Sequence, residues 1–246
     1  TFAKLLGWSH ATLSHYEAGA LQSISHNNEL VLLGDPENMI RLLETNKTNL
    51  TTKELSRIRK NLDHLLNSIQ TERLDKVINK YFSTFQPDIF TGFRRCTVEK
   101  IIEAIKFFSV KDKELLKVKL MKYLWYSDFL HFKRHIVSIT GLKYIHAPFG
   151  PVPDHHELLL HLAAKEGVVE EPYPVHDYVG TKYIARSFNE RLFSSEELNT
   201  MSDVLARFKD FNSSALSQYS HKEKAYLDTA EYEYIAYDKA ETLSMD

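Results

Sequence analysis

The stretch from Val118 to Phe132 constrains the fold more than any other, because it is apolar round most of a helix. Its apolar residues follow each other at helical intervals of three or four: Val118, Met121, Trp125, Phe129 and Phe132. Three leucines widen this stripe: Leu120, Leu124 and Leu130. A helix with so little polar surface is normally buried in protein. The sequence therefore predicts a central, buried helix.

The pattern then changes from helical to extended. Ile136–Ile139 and Leu142–Ala147 read as two strands, and Thr140-Gly141 between them predicts a hairpin whose turn uses the positive φ of glycine. Prolines fix φ and remove amide donors, so the following "PFGPVP" predicts a stiff loop that presents Phe149 beside Gly150.

Four short segments of this region resemble, in order, the pattern of the Panacea domain, an antitoxin domain of bacterial and phage toxin–antitoxin pairs. They are Lys119-Leu120, Tyr126-Ser127-Asp128-Phe129, Thr140-Gly141 and Phe149-Gly150-Pro151-Val152. The resemblance extends from about Gly92 to the C-terminal region. It implies neutralisation of a protein toxin by direct binding, without catalysis.

Aromatic residues usually anchor protein interfaces, and polar neighbours specify the partner. We therefore predict that the toxin is bound by Trp125, Tyr126, Asp128, Lys143, Tyr144, Phe149, Gly150 and Pro151. Asp128 also has a structural interpretation, because a carboxylate among aromatics needs hydrogen-bond partners. In that interpretation it caps the hairpin or pairs with Lys143, and we favour this over catalysis since no second base is placed to work with it.

The N-terminal segment predicts helix, turn, helix. Phe2, Leu5 and Leu6 face a core, Gly7 makes the turn, and Ser9 caps the next helix. The second helix resembles that of the lambda-repressor-like (XRE) helix-turn-helix class, in which it enters the major groove. The resemblance implies base contacts from His10, Ala11 and His15, and phosphate contacts from Thr12, Ser14 and the amides around Gly19.

The charge of this segment opposes DNA binding by the segment alone. Residues 1–46 carry two cations against five carboxylates, whereas duplex affinity depends on phosphate neutralisation. The class normally has a further helix first, so we expect upstream residues to be missing before Thr1. The continuation of the segment also resembles MqsA-like antitoxins, although the zinc-binding cysteines of their N-terminal domain are not in this sequence.

A second helical pattern begins at Thr51, where Thr51 and Glu54 predict a capping box. Beyond it, apolar residues step by three and four in a short heptad seam: Leu55, Ile58, Leu62, Leu65 and Ile69. The seam is explained equally well by an amphipathic helix packed on its own chain and by a dimer contact. A dimer would suit a helix-turn-helix protein, which usually binds two half-sites.

Further signals mark shorter elements. Asp35 and Pro36 predict a helix start, Asp154 predicts another, and Ser194 with Glu197 predicts a second capping box. Extended pieces are predicted at Val168–Glu170, Val175–Val179 and Lys182–Arg186, which we expect to join the earlier hairpin in one small antiparallel sheet.

The predicted fold is thus mainly α (α+β). We divide it into a helix-turn-helix domain (residues 1–46), a helical linker (47–86) and a Panacea domain (87–246).

Several classes of function lack their usual signals. The sequence has no glycine-rich phosphate loop, no Cys-x-x-Cys pair, no His-Glu-x-x-His and no Gly-x-Ser-x-Gly, and Cys96 is the single cysteine. We therefore expect no enzyme activity, no cofactor and no metal site. No apolar run is long enough for a membrane span, and we expect a cytoplasmic protein.

We predict an antitoxin of a type II toxin–antitoxin system, which binds a cognate toxin, binds operator DNA to repress its own operon, and forms a homodimer. The alternative is a DNA-binding regulator, or a proteolytic adaptor, whose partner is not a toxin.

Overall fold

A computed structural model describes residues 2–175 and 178–245. Contacts within the chain define two compact units, Thr1–Lys76 and Val77–Asp246. The domain boundaries that we predicted after residues 46 and 86 stay predictions.

The first unit is helical. Its helices are α1 (Phe2–Leu6), α2 (His10–Glu17), α3 (Ile24–Leu32), α4 (Pro36–Thr45) and the first part of α5 (Thr52–Ser83), with a 3₁₀ turn at Lys47–Asn49. A small core holds it together, built from the buried residues Leu5, Leu43, Leu50 and Leu62. This core is modest, because burying one such side chain contributes only about 1.5–3 kcal/mol.

The predicted helix starts of this unit are confirmed. The Ser9 side chain accepts from the Thr12 amide, the Asp35 side chain accepts from the Glu37 amide, and Gly7 has φ +71°. At α5, the Glu54 carboxylate accepts from the Thr51 amide at 3.0 Å, and the Glu54 amide donates to Thr51 Oγ1 at 3.3 Å, which is a capping box.

The second unit surrounds one helix with shorter elements. In chain order these are α6 (Val98–Lys111), α7 (Lys117–His135), β1 (Tyr144–Ala147), β2 (Gly150–Pro153), α8 (His156–Lys165), β3 (Val169–Val175), β4 (Tyr178–Ile184), α9 (Ser195–Phe208), α10 (Ser213–Ser220) and α11 (Lys224–Leu227). Two further 3₁₀ turns lie at Glu190–Leu192 and Tyr237–Thr242.

Helix α7 is central, as predicted. Every residue from Lys119 to Phe132 is buried, because α6, α9, α10, the hairpin β1–β2 and the C-terminal 3₁₀ turn all pack against it. The helices of both units and the two small antiparallel sheets confirm the predicted mainly α fold.

The hairpin lies further along the chain than the sequence predicted. Strands β1 and β2 pair antiparallel from Tyr144↔Pro153 to Ala147↔Gly150, so the turn is Pro148-Phe149 and not Thr140-Gly141. Segment 136–139 forms no strand, since the turn that follows it folds onto Asp128. The "GPVP" segment is a strand and not an irregular loop. Proline is tolerated there because β2 pairs with β1 on one side only, so its outer edge needs no amide donors for a further strand.

Strands β3 and β4 form a second hairpin, in register from Val169↔Ile184 to Val175↔Tyr178. Pro172 and Pro174 lie inside β3 and do not interrupt it. The two hairpins are separate sheets, so the predicted single sheet is wrong. His176 and Asp177, within the predicted piece Val175–Val179, lie outside the described residues.

The predicted helix cap at Asp154 is also wrong. His155, at φ +49°, is the N-cap of α8, and no side chain caps that helix. Asp154 instead accepts hydrogen bonds from Tyr81 Oη at 3.0 Å and Tyr234 Oη at 2.7 Å. By contrast, the capping box of Ser194 and Glu197 is present at α9.

Candidate partner-binding site

The tip of the β1–β2 hairpin brings together three residues that the sequence analysis singled out. Phe149 projects from the turn with 74% of its surface exposed, whereas Gly150 and Pro151 are buried beside it. Gly150 has φ +91°, and an added Cβ would overlap Ser220 Oγ and come within 2.9 Å of Lys122 Nζ. Only glycine fits this position, because it allows both the positive φ and the close packing.

Side chains from the helices fix the backbone of the tip. Lys122 Nζ donates to the Pro151 carbonyl at 2.9 Å, and Ser217 Oγ donates to the Phe149 carbonyl at 3.0 Å. With the turn held in this way, Phe149 is presented at a defined place and loses little further freedom on binding.

Lys122 is an unusual support for the tip. It is only 1% exposed, and no carboxylate pairs with it in the part of the chain that the structure describes. Burial lowers its pKa from 10.5 to about 7, because the ammonium form has lost its hydration. The lysine therefore holds the hairpin at a cost to the stability of the fold.

Asp128 accepts hydrogen bonds from the turn at Ile139 and Thr140, which precedes the hairpin in the chain. It is fully buried, and it accepts hydrogen bonds from the Ile139 and Thr140 amides at 2.8 Å each, from the Thr140 hydroxyl and from Tyr144 Oη at 2.7 Å. Burial raises its pKa, and the hydrogen bonds to the carboxylate oppose that rise. Capping of the turn, our structural interpretation, is thus confirmed.

The predicted pairing of Asp128 with Lys143 is wrong. Lys143 Nζ lies 3.4 Å from Asp88 Oδ2 and over the rings of Phe85 and Tyr234. These contacts draw the half-buried lysine away from Asp128, whose own acceptors are already occupied by the turn.

The other predicted toxin contacts belong to the core. Trp125, Tyr126 and Tyr144 are each 0% exposed. The ring centroid of Trp125 lies 5.0 Å from that of Phe129, and Tyr126 Oη donates to Glu223 at 3.1 Å. Direct contact with a partner would require these aromatics to leave the core. Of the aromatic residues that we predicted to bind the toxin, Phe149 is the exposed one.

The predicted DNA-contacting residues lie on or just after α2. His10, Ala11, His15 and Gly19 are exposed, and Thr12 and Ser14 are half-buried. Helix α2 contributes no residue to the buried core of its unit. The side chains named for base contacts are therefore accessible in this unit.

The predicted dimer seam has a mixed environment along α5. Leu62 is buried in the core of the first unit, Leu55 and Ile58 pack against that core, and Ile69 is half-buried. Leu65 is 45% exposed. The first half of the seam thus serves its own unit, and the dimer contact stays a prediction.

The described residues form neither a metal-binding group nor a membrane-spanning helix. Over residues 2–175 and 178–245, no three His, Cys, Asp or Glu side chains are grouped so as to hold a metal ion. Among the described helices, none combines the length and the apolar character needed to cross a membrane.

Sequence reasoning missed Lys122 as a support of the hairpin. The available signal was the placement of Lys119 and Lys122 inside the apolar pattern, where a cation must be buried or reach past its neighbours. Lys119 has a carboxylate partner, since its Nζ lies 2.7 Å from Asp112 Oδ2, whereas Lys122 has no carboxylate partner among the described residues. Sequence spacing cannot distinguish these two outcomes.

Among known protein families, one matches part of the second unit. No curated protein and no solved structure matches the chain. Residues 120–226, which are 107 of the 246 residues, match the family model described as the antitoxin SocA-like Panacea domain. The match includes α7 from Leu120 onward, the hairpin tip and α10, and it supports an antitoxin role for this part of the chain.

Proposed function

We propose that this protein is the antitoxin of a type II toxin–antitoxin pair, which neutralises a cognate protein toxin by binding it directly. The match of residues 120–226 to the SocA-like Panacea domain carries the proposal. That match also favours a regulatory role without catalysis. We place the protein in the cytoplasm, where such a toxin would act.

The hairpin tip is the contact that we assign to the toxin. Phe149 is exposed and held on a fixed turn, which is the combination expected of an interface anchor. Trp125, Tyr126, Asp128 and Tyr144 would act indirectly, because they build the core on which the hairpin rests. Gly150 and Pro151 would set the shape of the tip around the anchor, and Lys143 would hold the other end of the hairpin through its contact with Asp88.

The proposal is tested by isolating the partner. The tagged full chain is purified from its native host, and proteins that co-purify in stoichiometric amount are identified by mass spectrometry. We expect one protein whose expression alone arrests growth and whose effect is reversed by this chain. Recovery of the chain alone, or only with DNA or protease components, would refute toxin neutralisation.

The role of the tip is tested with Phe149→Ala. Loss of a central anchor is expected to raise the Kd for the toxin by at least about tenfold. The Tm should stay within about 1 °C of the wild type, because most of the side chain is already in solvent. Leu227→Ala removes a residue that is 63% exposed elsewhere in the unit, and it serves as the matched control. Equal toxin affinity of the Phe149 and Leu227 variants would contradict the assignment.

We further propose that the first unit binds the operator of its own operon, as a dimer joined through the exposed part of the α5 seam, which includes Leu65. The observation in favour is the capped α2, with His10, Ala11 and His15 exposed. A mobility-shift titration of the full chain with its own promoter should give an affinity that falls steeply with salt. A regulator or adaptor with a partner other than a toxin is the second candidate, and it would bind the promoter without reversing any growth arrest.

A further inference from the structure

Arg207, in the last turn of α9, lies over three aromatic rings. Its guanidinium carbon is 5.6 Å from the ring centroid of Phe208, 5.6 Å from that of Phe211 and 5.4 Å from that of Tyr219. The three rings pack edge to face on one another and form what we call the aromatic platform. Because a cation is attracted to the faces of aromatic rings, the platform favours one position of the guanidinium.

The aromatic platform is itself held in place. Phe208 is fully buried, and its ring centroid lies 4.5 Å from that of Tyr126. The Tyr219 hydroxyl is hydrogen-bonded to the Ser244 hydroxyl at 2.8 Å. The guanidinium above these rings therefore loses little further freedom when it binds a partner.

The guanidinium of Arg207 has no polar partner among the described residues. Its side chain is exposed, no carboxylate pairs with it, and its contacts in this part of the chain are those with the rings. An arginine carries five N–H donors, and all of them remain open to an acceptor from outside the chain.

The carboxylates near Arg207 are engaged by other groups or form no ion pair with it. Asp203, one turn earlier in α9, pairs with Arg134 at 2.7 Å. Glu223 is buried and accepts hydrogen bonds from a tyrosine and a serine hydroxyl. Asp210 lines a cavity on the side of α7 and β3. The positive charge of Arg207 is therefore not neutralised by direct contact with any of them.

Helix α10 connects the aromatic platform with the hairpin tip. Successive residues of a helix are about 100° apart, so Ser217 and Tyr219 lie on opposite flanks of α10. Ser217 donates to the Phe149 carbonyl, and Tyr219 belongs to the platform under Arg207. Two residues point inward and are buried: Leu216 and Ser220. The outward residues are exposed and uncharged: Ser214, Ala215 and Gln218. A partner that covers α10 would thus meet Phe149 on one side and Arg207 on the other.

We infer that Arg207 is a second anchor of the toxin interface, which binds a carboxylate of the toxin on the opposite side of α10 from Phe149. This inference rests on the proposed function and adds the chemistry of one contact. The planar guanidinium offers two parallel N–H donors to a carboxylate, a pairing that the ammonium group of lysine cannot make. Arginine is also among the residues most enriched where interfaces gain their binding energy.

A protein carboxylate is favoured over nucleic acid as the occupant. Duplex binding depends on several cations that neutralise successive phosphates, whereas α10 carries no charged residue. Asp203 and Asp210 flank Arg207 in the chain and would oppose a phosphate backbone.

The test measures the Kd for the purified toxin and the Tm of the full chain. Arg207→Met still covers the rings but has no charge, and Arg207→Lys keeps the charge without the planar fork. Arg191→Met is the matched control. Arg191 is likewise exposed, and among the described residues its side chain has neither an ion pair nor a ring contact.

We expect both Arg207 variants to raise the Kd at least about tenfold, and Arg207→Met to make it less dependent on salt. The Tm should stay within about 2 °C of the wild type, because the side chain is exposed. Arg191→Met should leave the Kd within about twofold. If Arg207 only covered the rings, methionine would replace it without loss of affinity.

Charge reversal identifies the carboxylate. Arg207→Glu should weaken binding more than Arg207→Met, because it places two carboxylates opposite each other. Each exposed Asp or Glu of the toxin is then changed to Arg, and variants that still arrest growth are kept. One of them should bind Arg207→Glu more tightly than it binds the wild type. If none does, the carboxylate assignment is overturned.

Wild-type Kd values in both Arg207→Met and Arg207→Lys would overturn the second anchor and leave the toxin-neutralising function intact. A wild-type chain that binds no growth-arresting protein would instead refute the proposed function itself. Retention of a fluorescein-labelled DNA duplex by the wild type, lost in Arg207→Met but not in Arg191→Met, would assign Arg207 to nucleic acid and overturn the carboxylate assignment.

Discussion

Replacing Lys122 with methionine should make the fold more stable and its stability less dependent on pH. In the folded chain burial lowers the pKa of Lys122 from 10.5 to about 7. Between these two values the unfolded chain binds more protons than the folded one, so the free energy of unfolding rises with pH. The contribution of Lys122 is therefore most unfavourable below pH 7, and it diminishes as the pH approaches 10.5.

The size of the effect follows from the two pKa values. At about 1.36 kcal/mol per pH unit, the buried lysine costs roughly 5 kcal/mol at pH 6 and roughly 2 kcal/mol at pH 9. Methionine removes this cost but leaves the Pro151 carbonyl without its donor, which opposes the gain by about 1–3 kcal/mol. We expect Lys122→Met to be about 2–4 kcal/mol more stable than the wild type at pH 6 and nearly equal to it at pH 9.

The measurement is urea unfolding followed by tryptophan fluorescence at pH 6 to 9. The chain has two tryptophans, so a Trp8→Phe background leaves Trp125, in the core of the second unit, as the reporter. At each pH, the unfolding free energy of the variant is subtracted from that of the wild type. This difference cancels the contributions of groups that titrate equally in both proteins. A difference that does not change between pH 6 and 9, or a variant less stable at pH 6, would refute the reasoning.

The same variant separates stability from function. Without the Nζ donor, the tip loses one of the bonds that fix Phe149, so the Kd for the toxin should rise although the fold is more stable.

Two further substitutions test the turn beneath the hairpin. Gly141→Ala should cost about 2–5 kcal/mol in urea unfolding, since φ is +76° and the new Cβ would lie 2.8 Å from the Arg94 carbonyl oxygen and the Cys96 amide nitrogen. Gly167→Ala, at φ +98° with open space around the Cβ, should cost only about 1 kcal/mol, and equal losses would contradict the packing argument. Asp128→Asn should lower the free energy of unfolding in urea by about 2–4 kcal/mol, because an amide cannot accept all the hydrogen bonds that the buried carboxylate accepts. Unchanged stability would show that the turn does not need these hydrogen bonds.

Local signals were sufficient for the central helix and for most predicted helix starts, although not for the start predicted at Asp154. The caps at Ser9, Asp35 and Ser194 were predicted correctly, because an N-cap depends on a side chain and an amide two or three residues away. The central helix was equally clear, since the apolar stripe of α7 leaves no polar face for solvent.

The hairpin was misplaced because turn chemistry is ambiguous without the partner strand. Thr140-Gly141 does make a turn with positive φ, but that turn serves Asp128, eleven or more residues earlier in the chain. The prolines after Ala147 suggested an irregular loop, yet Pro151 and Pro153 fit strand β2, which pairs with β1 on one side and with no further strand among the described residues.

The candidate site was predicted only in part, because the sequence does not show which of its residues are buried by distant segments. The sequence indicated that Trp125, Tyr126, Tyr144 and Phe149 belong to one region, and it did not indicate that Phe149 alone of them is exposed. Burial depends on which elements pack on α7, and those contacts join residues far apart in the chain, such as Tyr126 with Glu223.

The sequence by itself determined the central helix, most of the helix caps and the resemblance to an antitoxin domain, because each depends on short segments whose residues lie within about one or two helical turns of each other. Tertiary structure alone decided which buried lysine of α7 pairs with a carboxylate and which of the predicted aromatic residues is exposed. These features depend on the packing of distant segments, and such packing sets the burial, the partners and the charge environment of each side chain.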